Sequence, residues 1–236
     1  MWQHKTISVI LPTLNEKKSI RKVIKQFEKL KLADEIIVVN NNAVKGTSKE
    51  VSRTSAREVF EPVRGYGSAI RRGLREAKGY YLVICEPDGT FEARDLYKLL
   101  SYSLEFDFVV GTRTTQSLIW EGANMGLFLK WGNYIAGKIV EFLFNTAQLT
   151  DAGCTYRLIN RQAYRTIEPY IHEEGNSFGL EMIILIILHK IPFIQIPVNY
   201  KRRVGVSSVT GSRSKALILG IEMIWITLKY WFVVNK

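Results

Sequence analysis

The sequence predicts an α/β fold, a mostly parallel sheet with helices on both faces and apolar amphipathic helices at the C-terminal end. Three observations carry this. Short apolar runs rich in Val and Ile recur at residues 7–11, 35–39, 80–85 and 106–110. Segments of helical character separate them. The runs are apolar throughout, as expected of parallel strands covered on both faces. A chain of 236 residues with 47% hydrophobic, 11% aromatic and 23% charged residues suits a folded domain with a sizeable core.

The elements follow in order. Residues 7–11 form the first strand, and Asn15 is placed to cap a helix running to residue 30. A second buried strand covers 35–39, a helix 47–54 and a short strand 57–60. Residues 67–77 fit a helix, with Gly79 beyond its end as a stop signal. The run 80–85 is the next strand, 94–102 a helix and 106–110 a strand. The second half is less regular: an amphipathic helix over 125–149, a strand over 155–159, an apolar helix over 180–189 ended by Pro192, and a strand over 193–200. A basic, Gly/Ser-rich loop over 201–213 leads into an apolar tail. No linker or internal repeat interrupts the chain, which divides into a domain over 1–213 and a tail helix over 214–236.

The net charge of +11, from 33 basic and 22 acidic residues, calls for an anionic partner. Zinc-finger, RNP-like and basic-zipper patterns are absent, which argues against nucleic acid. Cys85 ends an apolar run and Cys154 lies in a polar stretch, with no CxxC, so a disulfide framework or zinc site is not expected and a reducing cytosol is. The first residues lack a signal-peptide apolar region. The tail over 217–234 is near the minimum spanning length, but Glu222 and Lys229 interrupt it. Its Trp225, Trp231 and Tyr230 favour an interfacial position on a membrane, ahead of a core helix or a spanning one.

Ligands of open α/β sheets bind outside the strands' carboxyl ends. Four polar loops fall there: 12–16, 40–42, 65–67 and 86–90. The last holds Glu86-Pro87-Asp88, two carboxylates one residue apart where a buried strand meets water. Hard divalent cations take oxygen ligands and keep room for substrate phosphates, so the pair is a candidate metal–diphosphate site. Gly65 and Gly67 suggest a phosphate-cradling turn, without the Walker lysine or a full dinucleotide fingerprint.

These segments resemble, in order, the inverting GT-A glycosyltransferases of family 2, and most of all the branch of dolichol-phosphate mannose synthases and bacterial polyprenyl-phosphate glycosyltransferases. The resemblance rests on ISVILPTLNE (7–16), EIIVVNNNAVKGT (35–47), RGYGSAIRRGLREAKG (64–79) and EPDGT (86–90), and weaker matches run to about residue 208. It implies a Mg²⁺ or Mn²⁺ cofactor held by Asp88, with Glu86 in place of the first acid of the Asp-x-Asp motif. Thr90 stands where the mannose synthases often carry Gln. The donor, a UDP- or GDP-linked sugar, is expected against Pro12, Leu14, Asn15, Glu16, Asn40, Asn41, Asn42, Gly65, Gly67 and Arg71. Asn40 and Asn41 replace the family's usual aspartates there, which points to altered nucleotide contacts or to a polar turn.

On the acceptor side, Arg113, Arg157, Arg202 and Ser207 match segments of the polyprenyl-phosphate branch, and arginines suit an anionic lipid phosphate. Glu181 and Asp151 are the candidate general bases, although a phosphate acceptor is already ionised and needs none. Asp88 is the remaining catalytic candidate. The resulting expectation is a metal-dependent inverting transferase moving a sugar to a polyprenyl phosphate, peripheral to the cytoplasmic face of a membrane, with self-association compatible. The alternatives are transfer to a growing glycan, and a non-catalytic nucleotide-sugar-binding protein on a degenerate scaffold.

Overall fold

The computed structural model describes residues 1–121, 123, 127–205 and 213–234. Seven strands form one sheet: β1 (Ile7–Thr13), β2 (Glu35–Asn40), β3 (Arg57–Phe60), β4 (Tyr81–Ile84), β5 (Phe108–Thr112), β6 (Arg157–Asn160) and β7 (Phe193–Pro197), in the order β3-β2-β1-β4-β6-β5-β7. Neighbours are parallel except β6, which runs antiparallel to both β4 and β5. The sequence could not show this reversal, because β6 is buried on both faces like its parallel neighbours. Its direction is fixed by the connection before it, which returns along the carboxyl edge so that Arg157 pairs with Ile84 at the end of β4.

Side chains alternate across the sheet and build two cores. On one face Ile10, Ile37, Val39, Leu82, Ile84 and Val110 pack under α3 (Tyr66–Glu76), α6 (Arg161–Ile167) and α7 (Phe178–Leu188). On the other, Val9, Leu11, Val38, Val83, Val109 and Leu158 pack under α1 (Ile20–Leu30), α2 (Thr47–Val51) and α4 (Leu96–Tyr102). Helix α1 starts at Ile20 and not at Asn15, because residues 16–19 close a turn in which the Ser19 and Ile20 N–H groups donate to Glu16 O. The short α6, unread in the sequence, is capped by Asn160, whose side chain accepts from Ala163 N at 2.8 Å. Cys154 is fully buried, contrary to its polar sequence surroundings, and burial pushes its thiol up to about 12.

Helices α5 (Leu127–Phe144) and α8 (Arg213–Val234) pack against each other, and α8 also packs on α7, burying Met223, Ile226 and Thr227. Among the described residues no helix is long and apolar enough to cross a membrane.

Helix α3 rides closest to the sheet at Gly73. A Cβ there would lie 2.4 Å from Ile10 Cγ2 and 3.0 Å from Val39 Cγ2. Gly73→Ala gains about 1 kcal/mol of helix propensity but forces the helix off two β-branched neighbours. A net loss of about 2 kcal/mol is expected from urea unfolding. A variant as stable as the parent would show that α3 lifts off the sheet without cost.

Candidate active site

Strand β4 carries its chain to the rim and stops. Cys85 N still donates to Ile10 O, and the next residues turn out of the sheet through Gly89, whose φ of +83° is a left-handed conformation that glycine accepts without strain. That turn sinks Asp88 to zero exposure. Its Oδ1 accepts from Thr90 N at 2.9 Å and Thr90 Oγ1 at 2.6 Å. Thr90 thus orients Asp88 and is itself buried, which settles its place in the turn as a brace for the carboxylate. Asp88 Oδ2 makes no hydrogen bond, and its 2.9 Å contact with an Arg203 terminal nitrogen is an ion pair without the direction of one.

Glu86 is 23% exposed, with Oε2 3.5 Å from the same nitrogen. Burial, and then the charge of Asp88, push its carboxyl up to about 8, against the pull of Arg203. Glu16 completes the group. Its Oε2 accepts from Leu14 N at 2.7 Å, Asn15 N at 2.8 Å and Thr13 Oγ1 at 3.2 Å, which ties down the loop after β1, and its Oε1 lies 3.2 Å from Arg203. Asn15 is exposed beside it, and Pro12 is buried within β1.

The asparagines are organisers of the chain. Asn41 donates to Glu61 O at 2.9 Å and Val63 O at 2.7 Å and accepts from Gly65 N at 2.9 Å, which uses both donors and the acceptor oxygen of a 5% exposed amide. Asn40 donates to Glu58 and accepts from Ala43 N, while Asn42 takes φ +60° and donates to Pro62 O. Of the two readings of Asn40 and Asn41, these bonds are those of a polar turn: the amides build the loop after β2.

Gly65 and Gly67 likewise pack against the chain itself. A Cβ at Gly65 would meet Glu174 O at 2.3 Å, and one at Gly67 would meet Glu173 O at 2.6 Å. Gly67 N and Ser68 N donate to Gly175 O and Glu174 O. The close backbone approach at the start of α3 is to the chain's own 173–175 loop. Glu181, 1% exposed, holds that loop by accepting from His172 N and Glu173 N, and also accepts from Tyr230 of α8 at 2.7 Å. Engaged in this way, the Glu181 carboxylate clamps the 172–173 backbone to α8. Arg71 lies half-buried on α3.

Asp151 is also committed. Fully buried, it takes a bidentate contact from Arg113, Nε to Oδ2 at 2.8 Å and NH2 to Oδ1 at 2.9 Å, and accepts from Arg113 N and Gly153 N. Arg113 retains 11% exposure and lies 5.2 Å from the Tyr200 ring. Arg157 is 2% exposed and donates to the carbonyls of Cys154, Ala152 and Gly179, as a buried strut does. Arg202 is exposed, and Ser207 lies outside the described residues.

Sequence reasoning missed Arg203, the residue that enters the acid group. The signal was present in Lys201-Arg202-Arg203: in an extended segment alternate side chains share a side. Lys201 pairs with Glu92 and Arg203 with Glu16, Glu86 and Asp88, while Arg202 faces away into solvent.

The donor set fits a hard divalent cation. It is all oxygen, and one oxygen, Asp88 Oδ2, is buried without a hydrogen-bond partner. Among the described residues no three His, Cys, Asp or Glu side chains converge into a metal cage. Two carboxylates without a cage suit an ion that shares its coordination with substrate phosphates.

A doubly wound sheet with an acid pair at the carboxyl end of its central strand defines a glycosyltransferase of the GT-A class. The chain belongs to glycosyl transferase family 2, whose profile matches residues 8–168. It is 25% identical over 248 residues to a dolichyl-phosphate beta-glucosyltransferase of Saccharomyces cerevisiae, covering 92% of this chain and 71% of that one. It is 24% identical to an uncharacterized glycosyltransferase of Mycobacterium tuberculosis, covering 93% and 96%. Among solved structures, the fold is similar to glucosyl-3-phosphoglycerate synthase from Mycobacterium tuberculosis in complex with Mn²⁺, uridine diphosphate and phosphoglyceric acid, with TM-score 0.77, 19% identity and coverage of 97% and 79%.

Proposed function

We propose that this enzyme transfers a hexosyl group, with inversion, from a UDP- or GDP-sugar to a polyprenyl phosphate, using a divalent cation at the cytoplasmic face of a membrane. The observation that carries the reading is the Glu86–Asp88 pair at the end of β4, with Asp88 Oδ2 buried and held by an ion pair alone. Asp88 and Glu86 would hold Mg²⁺ or Mn²⁺, which when bound supplies Lewis-acid stabilisation of a departing diphosphate. The structurally similar glucosyl-3-phosphoglycerate synthase, solved with Mn²⁺ and uridine diphosphate, supports UDP as the nucleotide, and the dolichyl-phosphate relative supports a lipid phosphate as acceptor.

The chain's own residues do the rest by positioning. Thr90 fixes one oxygen of Asp88 so that the other faces the donor side. Glu16 locks the loop after β1, and Asn41 locks the loop before α3, so the rim keeps its shape when a donor arrives. An acceptor phosphate oxygen attacks the anomeric carbon opposite the diphosphate; the new C–O bond forms as the old one breaks, and the nucleoside diphosphate leaves. Both candidate bases, Glu181 and Asp151, are engaged in structure, which favours an acceptor that arrives ionised. Exposed Arg202 is available to an anionic acceptor. The outward faces of α5 and α8 present Trp131, Ile135, Phe142, Ile221, Trp225 and Phe232, which support an interfacial seat on lipid.

The test is incorporation of labelled sugar from UDP- and GDP-sugars, with Mn²⁺, into vesicles carrying polyprenyl phosphate. Label in the organic extract is expected. Label found only in water-soluble glycan would overturn the lipid acceptor.

A further inference from the structure

Arg203 reaches the carboxylates that would hold a cation. Its guanidinium reaches Asp88 at 2.9 Å, Glu16 at 3.2 Å and Glu86 at 3.5 Å, and the side chain is only 19% exposed. Neighbouring arginines do nothing similar: Arg202 points to solvent, and Arg113 is tied to Asp151. One fixed positive charge among three carboxylates leaves a net negative site that keeps its appetite for a second charge.

The backbone that carries Arg203 is pinned to the acid turn itself. Lys201 N donates to Thr90 O at 2.7 Å, and Val204 N donates to Asp88 O at 2.9 Å. Phe91 and Tyr200 form an isolated bridge just before, and Lys201 pairs with Glu92. Residues 200–204 thus form a strap fastened at several points to the 88–92 turn.

We infer that Arg203 is a built-in competitor for the metal: its guanidinium occupies the carboxylate pair in the free enzyme and is displaced by a divalent ion through a side-chain swing, with the strap backbone unmoved. The inference rests on the metal-dependent reading above. Two consequences follow from the geometry. Metal affinity in the absence of donor is weaker than two carboxylates would give alone. Once displaced, the guanidinium remains tethered one side-chain length away, at the rim where a donor diphosphate brings negative charge, so metal and donor together replace what Arg203 loses. The enzyme would then hold its metal firmly only when a sugar nucleotide is present.

The experiment is titration of the full chain with Mn²⁺ alone, read by the loss of the free-ion electron paramagnetic resonance signal at 0.15 M salt. Long-range charge effects are damped there beyond about 8 Å. Parent, Arg203→Gln, Arg203→Lys and Arg202→Gln are compared, with urea unfolding confirming that each is folded. Arg203→Gln is expected to bind Mn²⁺ at least about tenfold more tightly than the parent, about 1.4 kcal/mol. Arg203→Lys, which keeps the charge but lacks the planar fork, is expected between the two. Arg202→Gln makes the same charge change on the same strap and is expected to match the parent. Equal Mn²⁺ affinity in Arg203→Gln and parent overturns the competition while leaving the metal site standing. An Arg202→Gln gain as large as that of Arg203→Gln also overturns it, because net charge would then explain both. Failure of all four to take up Mn²⁺, with uridine diphosphate still bound in the same preparations, overturns the metal reading and this inference with it.

Discussion

Asp88→Asn is expected to lower kcat by about 10³-fold at saturating donor and Mn²⁺, while urea unfolding shifts by only about 1 kcal/mol. The two effects separate because the carboxylate has two jobs on two oxygens. Oδ1 receives Thr90 N and Oγ1, and an asparagine oxygen in the same place receives them too. Oδ2 is buried, lacks a hydrogen bond and faces Arg203, and this is the oxygen that the amide replaces with an NH2 group carrying no negative charge. Loss of one preorganised charge at a developing diphosphate costs two to three decades in comparable sites. The check is initial-rate kinetics beside an unfolding curve. A kcat within about tenfold of the parent would remove Asp88 from the metal role, and an unfolded variant would show that the turn needs the charge itself.

The sheet and the rim were legible because burial on both faces writes itself as apolar runs, and because loops at strand ends must be polar. All seven strands fall on or beside segments that read as strands, and Glu86 and Asp88 lie where the run 80–85 ends. What the sequence left open was which partner each polar residue would choose. Asn41, Glu181 and Arg157 look like ligand-facing groups in a string of letters, yet each is buried and bonded to backbone groups remote in sequence: Asn41 to Val63 O, Glu181 to Glu173 N and Arg157 to Gly179 O. Buried polar groups must find partners, and those partners are set by tertiary contacts that no local pattern carries. The glycines show the same ambiguity. Gly65 and Gly67 declare that something approaches closely, and only the fold shows that it is the 173–175 carbonyls. Arg203 was the reverse case, a charge in a basic triplet whose extended geometry turns it inward while its neighbour turns out.

Asp151→Ala is expected to destabilise the protein by about 3–5 kcal/mol in urea unfolding, the larger of the stability effects predicted for this chain. The carboxylate has zero exposure and takes four N–H groups: Arg113 N, Nε and NH2, and Gly153 N. Its backbone is stitched to β7 as well, with Gln195 accepting from Thr150 N and Asp151 N and donating to Asp151 O at 2.8 Å. Removing the carboxylate leaves the Arg113 guanidinium, 11% exposed beside the Tyr200 ring, without the counter-charge that now holds it. That stranded charge, more than the lost attraction, sets the size of the effect, because a buried pair roughly breaks even against apolar groups whereas half a pair does not. The double variant Asp151→Leu with Arg113→Met is therefore expected to recover more than half of the loss. The same pair of measurements separates structure from chemistry at this position. A general base would show itself as a fall in kcat in a variant that unfolds like the parent, and a structural clamp as a fall in stability that Arg113→Met relieves. The bidentate geometry and complete burial of Asp151 place it with the second.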